Sequence, residues 1–210
     1  EAACRAHGYT LLVSNTNNEV NQEEHYLQLL TSYQVEGMVV NAVGMREDSL
    51  NKLQQSFLPM VLIDHKIPDF ACDAVGLDNI QAATMATEHL LQQGFEAILF
   101  ISEPLGLVNT RLERLQGFNQ TIQQHNGAIA QNAEVPLNDP QRLEAILREF
   151  NQSYRGMRKA VLSANGALTL QIARGLRHIG LQWGSDIGLL GVDELEWAEL
   201  AGVGVTRLQH

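Results

Sequence analysis

Positive charge is scarce in this 210-residue sequence: 14 Lys and Arg stand against 24 Asp and Glu, a formal net charge of −10. The basic residues are scattered without a run. That argues against these residues gripping nucleic-acid phosphates, which takes clustered Lys and Arg. An acidic body also steers anions away, so an anionic ligand would need arginines close at hand. Cysteine is nearly absent. Cys4 and Cys72 form no CxxC pair and no disulfide framework, and they read as two reduced thiols. No window approaches the roughly 20 apolar residues that span a bilayer, which argues against a membrane partner. Catalytic signatures are missing as well: the chain has no GxSxG, HExxH, phosphate-loop or GxGxxG pattern. Seven histidines (His7, His25, His65, His89, His125, His178, His210) are dispersed, with no metal-ligand spacing and no sign of a cofactor. Asp193 and Glu194 are adjacent, so their side chains diverge and make a poor glycosidase pair.

What is present is a steady alternation of apolar runs with amphipathic stretches, in a chain that is 45% hydrophobic and 18% charged. Glu1 to His7 reads as the tail of a helix with Gly8 as its C′ residue, so the sequence begins inside a fold. Strands are predicted at Tyr9 to Ser14, Gly37 to Val43, Met60 to Asp64, Asp73 to Leu77, Ala97 to Ser102, Ala133 to Leu137, Ala160 to Ser163, Ile187 to Gly191 and Val203 to Leu208. Helices are predicted between them, at 22–34, 46–57, 79–93, 110–125, 140–152 and 166–179, with a helical turn around Trp197. Continuous apolar strands alternating with helices predict parallel sheets covered on both faces. No Gly/Ser-rich linker separates the halves. The expected fold class is α/β, with two Rossmann-like lobes. The lobes are placed at 1–101 and 102–202, with 203–210 as a strand crossing back toward the first.

The residues also carry a resemblance. Asp186-Ile187, Gly191-Val192-Asp193-Glu194 and Val205-Thr206-Arg207-Leu208-Gln209 resemble the end of the core of the GalR/LacI family of bacterial transcription regulators. Val192 stands where an aromatic is common, and Arg207 where Thr is common. Further pieces follow in the family's order: Ala2 to Thr16, Glu36 to Val40, Pro59 to Asp64, Val75 to Ala82, His89 to Phe95, and the helix with Arg111, Gly117 and Phe118. Phe95 replaces the usual His. The resemblance implies a periplasmic-binding-protein-like type I core truncated at both ends, with the helix-turn-helix headpiece, first strand and last strand and helix outside this sequence. It further implies a cytoplasmic homodimer that binds operator DNA through that headpiece. A small-molecule effector, a sugar or sugar acid held between the lobes, would change operator affinity. The loops Glu103-Pro104-Leu105, Thr110-Arg111 and Trp197 to Leu200 look most like gluconate and ketogluconate regulators.

Sugar sites need polar groups for adjacent hydroxyls and an apolar surface for the C–H face. Strand ends supply Asp64, Ser102, Asn165 and Asp193. Arg111 lies in a first helical turn, an unfavourable place for a cation unless it serves an anion, and Trp197 could cover an apolar edge. Each has a plainer reading. Asp193 also reads as a turn residue, Arg111 as an ion-pair partner, Asn165 and Asp64 as caps, and Trp197 as packing. Asp78 reads as a helix cap, Arg114 as solvent-facing or salt-bridged, and Trp183 as structural. Two other functions share these features: a periplasmic sugar-binding protein and a sugar-converting enzyme.

Overall fold

The computed structural model describes residues 1–17, 19–42, 53, 58–64, 67, 70–106, 109–125, 127–193, 197 and 206–208. The expected helix at 46–57 therefore lies outside the described residues apart from Leu53. So do the start of the last strand and all of the Trp197 turn but Trp197 itself. The chain divides into two compact units, residues 1–76 and 77–210.

The first unit opens on α1 (Ala2–Ala6), followed by Gly8 at φ 78°, the left-handed residue expected past a helix end. After α2 (Val20–Ser32) come three short strands, β1 (Met38–Val40), β2 (Met60–Ile63) and β3 (Asp73–Val75). They pair in parallel in the order β1-β2-β3. The strand expected at Tyr9 to Ser14 is not formed, and Tyr9 and Val13 are 57% and 81% exposed. Apolar, β-prone residues express a preference only; a strand also needs a neighbour for its N–H and C=O groups. Among the described residues no strand pairs with this segment.

The second unit is a doubly wound sheet. Its elements are α3 (Asn79–Gln92), β4 (Ala97–Ser102), α4 (Asn109–Gln124), β5 (Ile129–Glu134), α5 (Pro140–Ser153), β6 (Lys159–Ser163), α6 (Gly166–His178), β7 (Gly188–Val192) and β8 (Thr206–Leu208). The strands run parallel in the order β5-β4-β6-β7-β8. Every residue of β4, β6 and β7 is buried, as a sheet covered on both faces requires. Side chains alternate across it. Leu99, Ile101, Val161 and Leu189 pack with Leu147, Phe150, Leu168 and Ile172 of α5 and α6. Ile98, Phe100, Leu162 and Leu190 pack with Ala86, Leu90 and Phe118 of α3 and α4 on the other face. The ring of Phe118 stacks on Phe100 with centroids 5.4 Å apart.

Two expectations change here. The division falls at Gly76/Leu77 rather than after residue 101, because β4 lies inside the second sheet between β5 and β6. The strand at 206–208 pairs with β7 at the edge of that same sheet instead of crossing back. A smaller shift concerns β5, expected at Ala133 to Leu137. It begins four residues earlier, and its Gln131 and Asn132 are exposed because β5 is an edge strand.

Candidate ligand-binding site

In an open parallel sheet, ligands gather beyond the carboxyl ends of the strands where the strand order reverses. In the second unit the chain winds from β4 outward to β5, then to β6 and β7 on the other side, so the reversal lies between β4 and β6. Neighbouring connections leave for opposite faces there, the arrangement that opens a crevice in sheets of this kind. Glu103 follows β4 at this point, and Ala164 and Asn165 follow β6.

These ends are joined by side chains. Asn165 caps α6 by accepting a bond from the Leu168 N–H at 2.9 Å, and its Nδ2 donates to Glu103 Oε2 at 2.7 Å. The other carboxylate oxygen of Glu103 lies 3.0 Å from Arg111 Nη2. The second Arg111 nitrogen donates to the Pro104 carbonyl at 2.7 Å. From the end of β7, Asp193 Oδ2 accepts the Gly166 N–H at 2.7 Å, placing a carboxylate at the positive end of α6. The Asp193 backbone has φ 103°, a conformation that non-glycine residues seldom adopt. Such backbones persist only where the surroundings enforce them, and they concentrate at functional sites.

Of the residues expected from sequence, Arg111 and Asn165 are joined through Glu103, and Asp193 binds the N–H of Gly166, the residue after Asn165. Asn165 is both cap and network member, and Arg111 is in an ion pair. Ser102 is 2% exposed, so the accessible group at that strand end is Glu103. Trp197 packs, with Trp183, against the core on the α5/α6 face of the sheet. Asp64 belongs to the first unit, at the end of β2, with φ 67°. Asp78 caps α3 through the Gln81 N–H.

Arg114 does not face solvent, which was one of its two expected readings. It is 8% exposed; its Nε donates to Asn79 Oδ1 at 2.8 Å and its Nη1 to the Ala164 carbonyl. Asn79 in turn donates to Glu113 at 3.0 Å. Arg114 therefore ties the start of α3, the middle of α4 and the turn that presents Asn165. Glu103 and Asn79 take part in these contacts and were not among the residues expected from sequence. Glu103 had a signal, since it directly follows the strand Ala97 to Ser102. Asn79, next to a clear helix cap, had none.

No helix among the described residues is long and apolar enough to cross a membrane. Nor do the described residues contain a group of three or more His, Cys, Asp or Glu that could hold a metal ion.

A doubly wound parallel sheet with polar loop ends converging at its reversal defines a small-ligand-binding α/β core. The chain belongs to the family described as periplasmic binding proteins and the sugar binding domain of the LacI family, which matches residues 1–207. It is 40% identical over 208 residues to the HTH-type transcriptional regulator PtxS of Pseudomonas putida, covering 99% of this chain and 60% of that protein. It is 31% identical over 210 residues to the HTH-type transcriptional regulator KdgR of Bacillus subtilis, covering 99% and 62%. The chain thus spans about 60% of the length of these curated relatives. Among solved structures, a periplasmic binding protein/LacI transcriptional regulator from Alkaliphilus metalliredigens, complexed with D-xylulofuranose, matches with a TM-score of 0.84. Its sequence is 21% identical, and the match covers 100% of this chain and 76% of that one. A LacI transcriptional regulator from Lactobacillus brevis matches with a TM-score of 0.85 at 16% identity, covering 100% and 78%. At these identities the structures establish the fold.

Proposed function

We propose that this chain is the effector-binding core of a DNA-binding transcription regulator, and that its effector is a small polyhydroxylated acid of the gluconate or ketogluconate class. The observation that carries the reading is the joined set Arg111, Glu103, Asn165 and Asp193 at the sheet reversal. It combines a guanidinium for a carboxylate with amide and carboxylate groups for hydroxyls. Membership of the family and whole-chain similarity to PtxS and KdgR support the regulator reading. Those relatives are transcriptional regulators, which speaks against an enzyme.

In the intact protein, a homodimer in the cytoplasm reads operator DNA through a headpiece outside these residues. The effector shifts operator affinity by binding one conformation of the core better than another. Calorimetric titration of the full-length protein with gluconate, 2-ketogluconate, ribose and a purine base tests this. One of the acids binds most tightly; tighter binding of ribose or the purine removes the sugar-acid assignment and leaves the regulator reading standing.

A further inference from the structure

We propose that Glu103 sets the choice between acids and neutral sugars at this site, because its carboxylate occupies the place against Arg111 that a ligand carboxylate would take. The inference deepens the proposed function and rests on it.

The geometry is that of an internal ligand. The Arg111 and Glu103 side chains are 21% and 19% exposed, so water screens their pairing only in part. One oxygen of Glu103 meets the guanidinium at 3.0 Å, and the other takes the Asn165 amide N–H at 2.7 Å. An α-hydroxy or α-keto acid carries the same pair of functions, a carboxylate beside an oxygen acceptor. The Asn165 carbonyl is committed to capping α6, so its Nδ2 is the part left for a ligand, and Glu103 holds it.

The guanidinium does not depend on Glu103 for its position. Arg111 also donates to the Pro104 carbonyl at 2.7 Å, a bond that survives when the Glu103 side chain turns away. Removing Glu103 from the pair therefore exposes a cation that is already placed. A ligand carboxylate cannot share that cation with Glu103, because like charges side by side repel strongly where water is partly excluded. An acid must displace Glu103, whereas a neutral sugar can bind to the remaining polar groups without disturbing the ion pair. Glu103 thus lowers affinity for acids in general. It confines binding to acids whose hydroxyls make enough other contacts to drive the exchange.

The probes are 2-ketogluconate and fructose, which differ in carrying a carboxylate or a hydroxymethyl group at the first carbon. Both are titrated calorimetrically into full-length wild-type and Glu103→Gln proteins. Glutamine keeps a carbonyl acceptor for Asn165 and loses the charge. The affinity for 2-ketogluconate then rises about tenfold relative to that for fructose. Equal changes for both ligands, or weaker acid binding in the variant, overturn the inference, since a merely structural residue moves both alike. If Glu103→Gln does not fold, a crystal structure of the wild-type protein with 2-ketogluconate decides. Loss of the Arg111–Glu103 contact supports the proposal, and its retention beside the bound acid overturns it. A wild-type protein that binds fructose but no acid removes the sugar-acid reading. In that case acid binding gained by Glu103→Gln still supports the role of Glu103, and no gain overturns it.

Discussion

Asn165 shows how the two readings of a residue from sequence can fall on different atoms of one side chain. Its position before a helix predicted a cap, and its position after a strand predicted a ligand contact; Oδ1 serves the first while Nδ2 joins the site network. Replacing it with alanine removes a cap worth about 1 kcal/mol and frees Glu103, so urea denaturation reads the first loss and ligand titration the second. Arg111 likewise read as an ion-pair partner or as an anion contact, and the ion pair with Glu103 is the one the structure shows. Arg111→Ala weakens binding of the acid by about 2–5 kcal/mol and binding of fructose much less, measured in the same titration. Asp193→Ala is expected to weaken both, because the proposed site offers its carboxylate to ligand hydroxyls. Arg114 was not legible. Its partners Asn79 and Ala164 lie 35 and 50 residues away, and nothing local in a helix marks a residue as reaching that far. Arg114→Ala takes the guanidinium from two acceptors, Asn79 Oδ1 and the Ala164 carbonyl, and lowers stability by roughly 3 kcal/mol, which a denaturant titration checks. Conservation of charge by lysine does not restore it, since one ammonium cannot reproduce the planar fork.

At the level of elements, most of the second unit was readable because its central strands are apolar on both faces, and continuous apolar runs of that length have few other uses. The strand at Ala97 to Ser102 was placed to the residue. Edges were harder. β5 is polar where it meets water, so the apolar residues just beyond it drew the expected strand too far along the chain. The segment Tyr9 to Ser14 shows the opposite error, since it has the composition of a buried strand and no paired neighbour among the described residues. Helix packing yields a sharper test. A Cβ on Gly117 would run into the Ile80 carbonyl oxygen and lie 3.1 Å from the Ala83 methyl. The missing side chain is what lets α4 approach α3, and it explains why glycine precedes Phe118, whose ring fills the core beneath. Gly117→Ala forces the two helices apart and costs about 1–3 kcal/mol, visible as a lower urea midpoint with an unchanged slope. Because α4 carries both Arg111 and Arg114, the same substitution also loosens the site.

Across the whole molecule, the division between units was the least legible feature. The strand–helix rhythm passes through Gly76 and Leu77 without a change of composition, and only the pairing of β4 with β5 and β6 reveals which unit it serves. Net charge, by contrast, is a property of the whole chain that sequence states directly. A body of −10 is repelled by DNA, whose binding is driven largely by release of counterions from neutralised phosphates. Residues 1–210 expressed alone therefore leave operator DNA unretarded in an electrophoretic assay at about 150 mM salt, while the full-length protein retards it with affinity that falls steeply as salt rises. The ligand behaves in the opposite way. The contacts proposed for it, Glu103, Arg111, Asn165 and Asp193, all lie within these residues, so on that proposal the 210-residue chain retains them. A ligand at one hundred times its dissociation constant stabilises a folded chain by about 2.7 kcal/mol. For a protein of this size each kcal/mol raises the melting temperature by roughly 2–4 °C, so saturating 2-ketogluconate shifts the melting of the 210-residue chain upward by about 5 to 10 °C. DNA retardation by the isolated chain at that salt contradicts the electrostatic assignment. A melting temperature that the acid leaves unmoved, in a chain that melts cooperatively without it, places the ligand contacts somewhere other than this network.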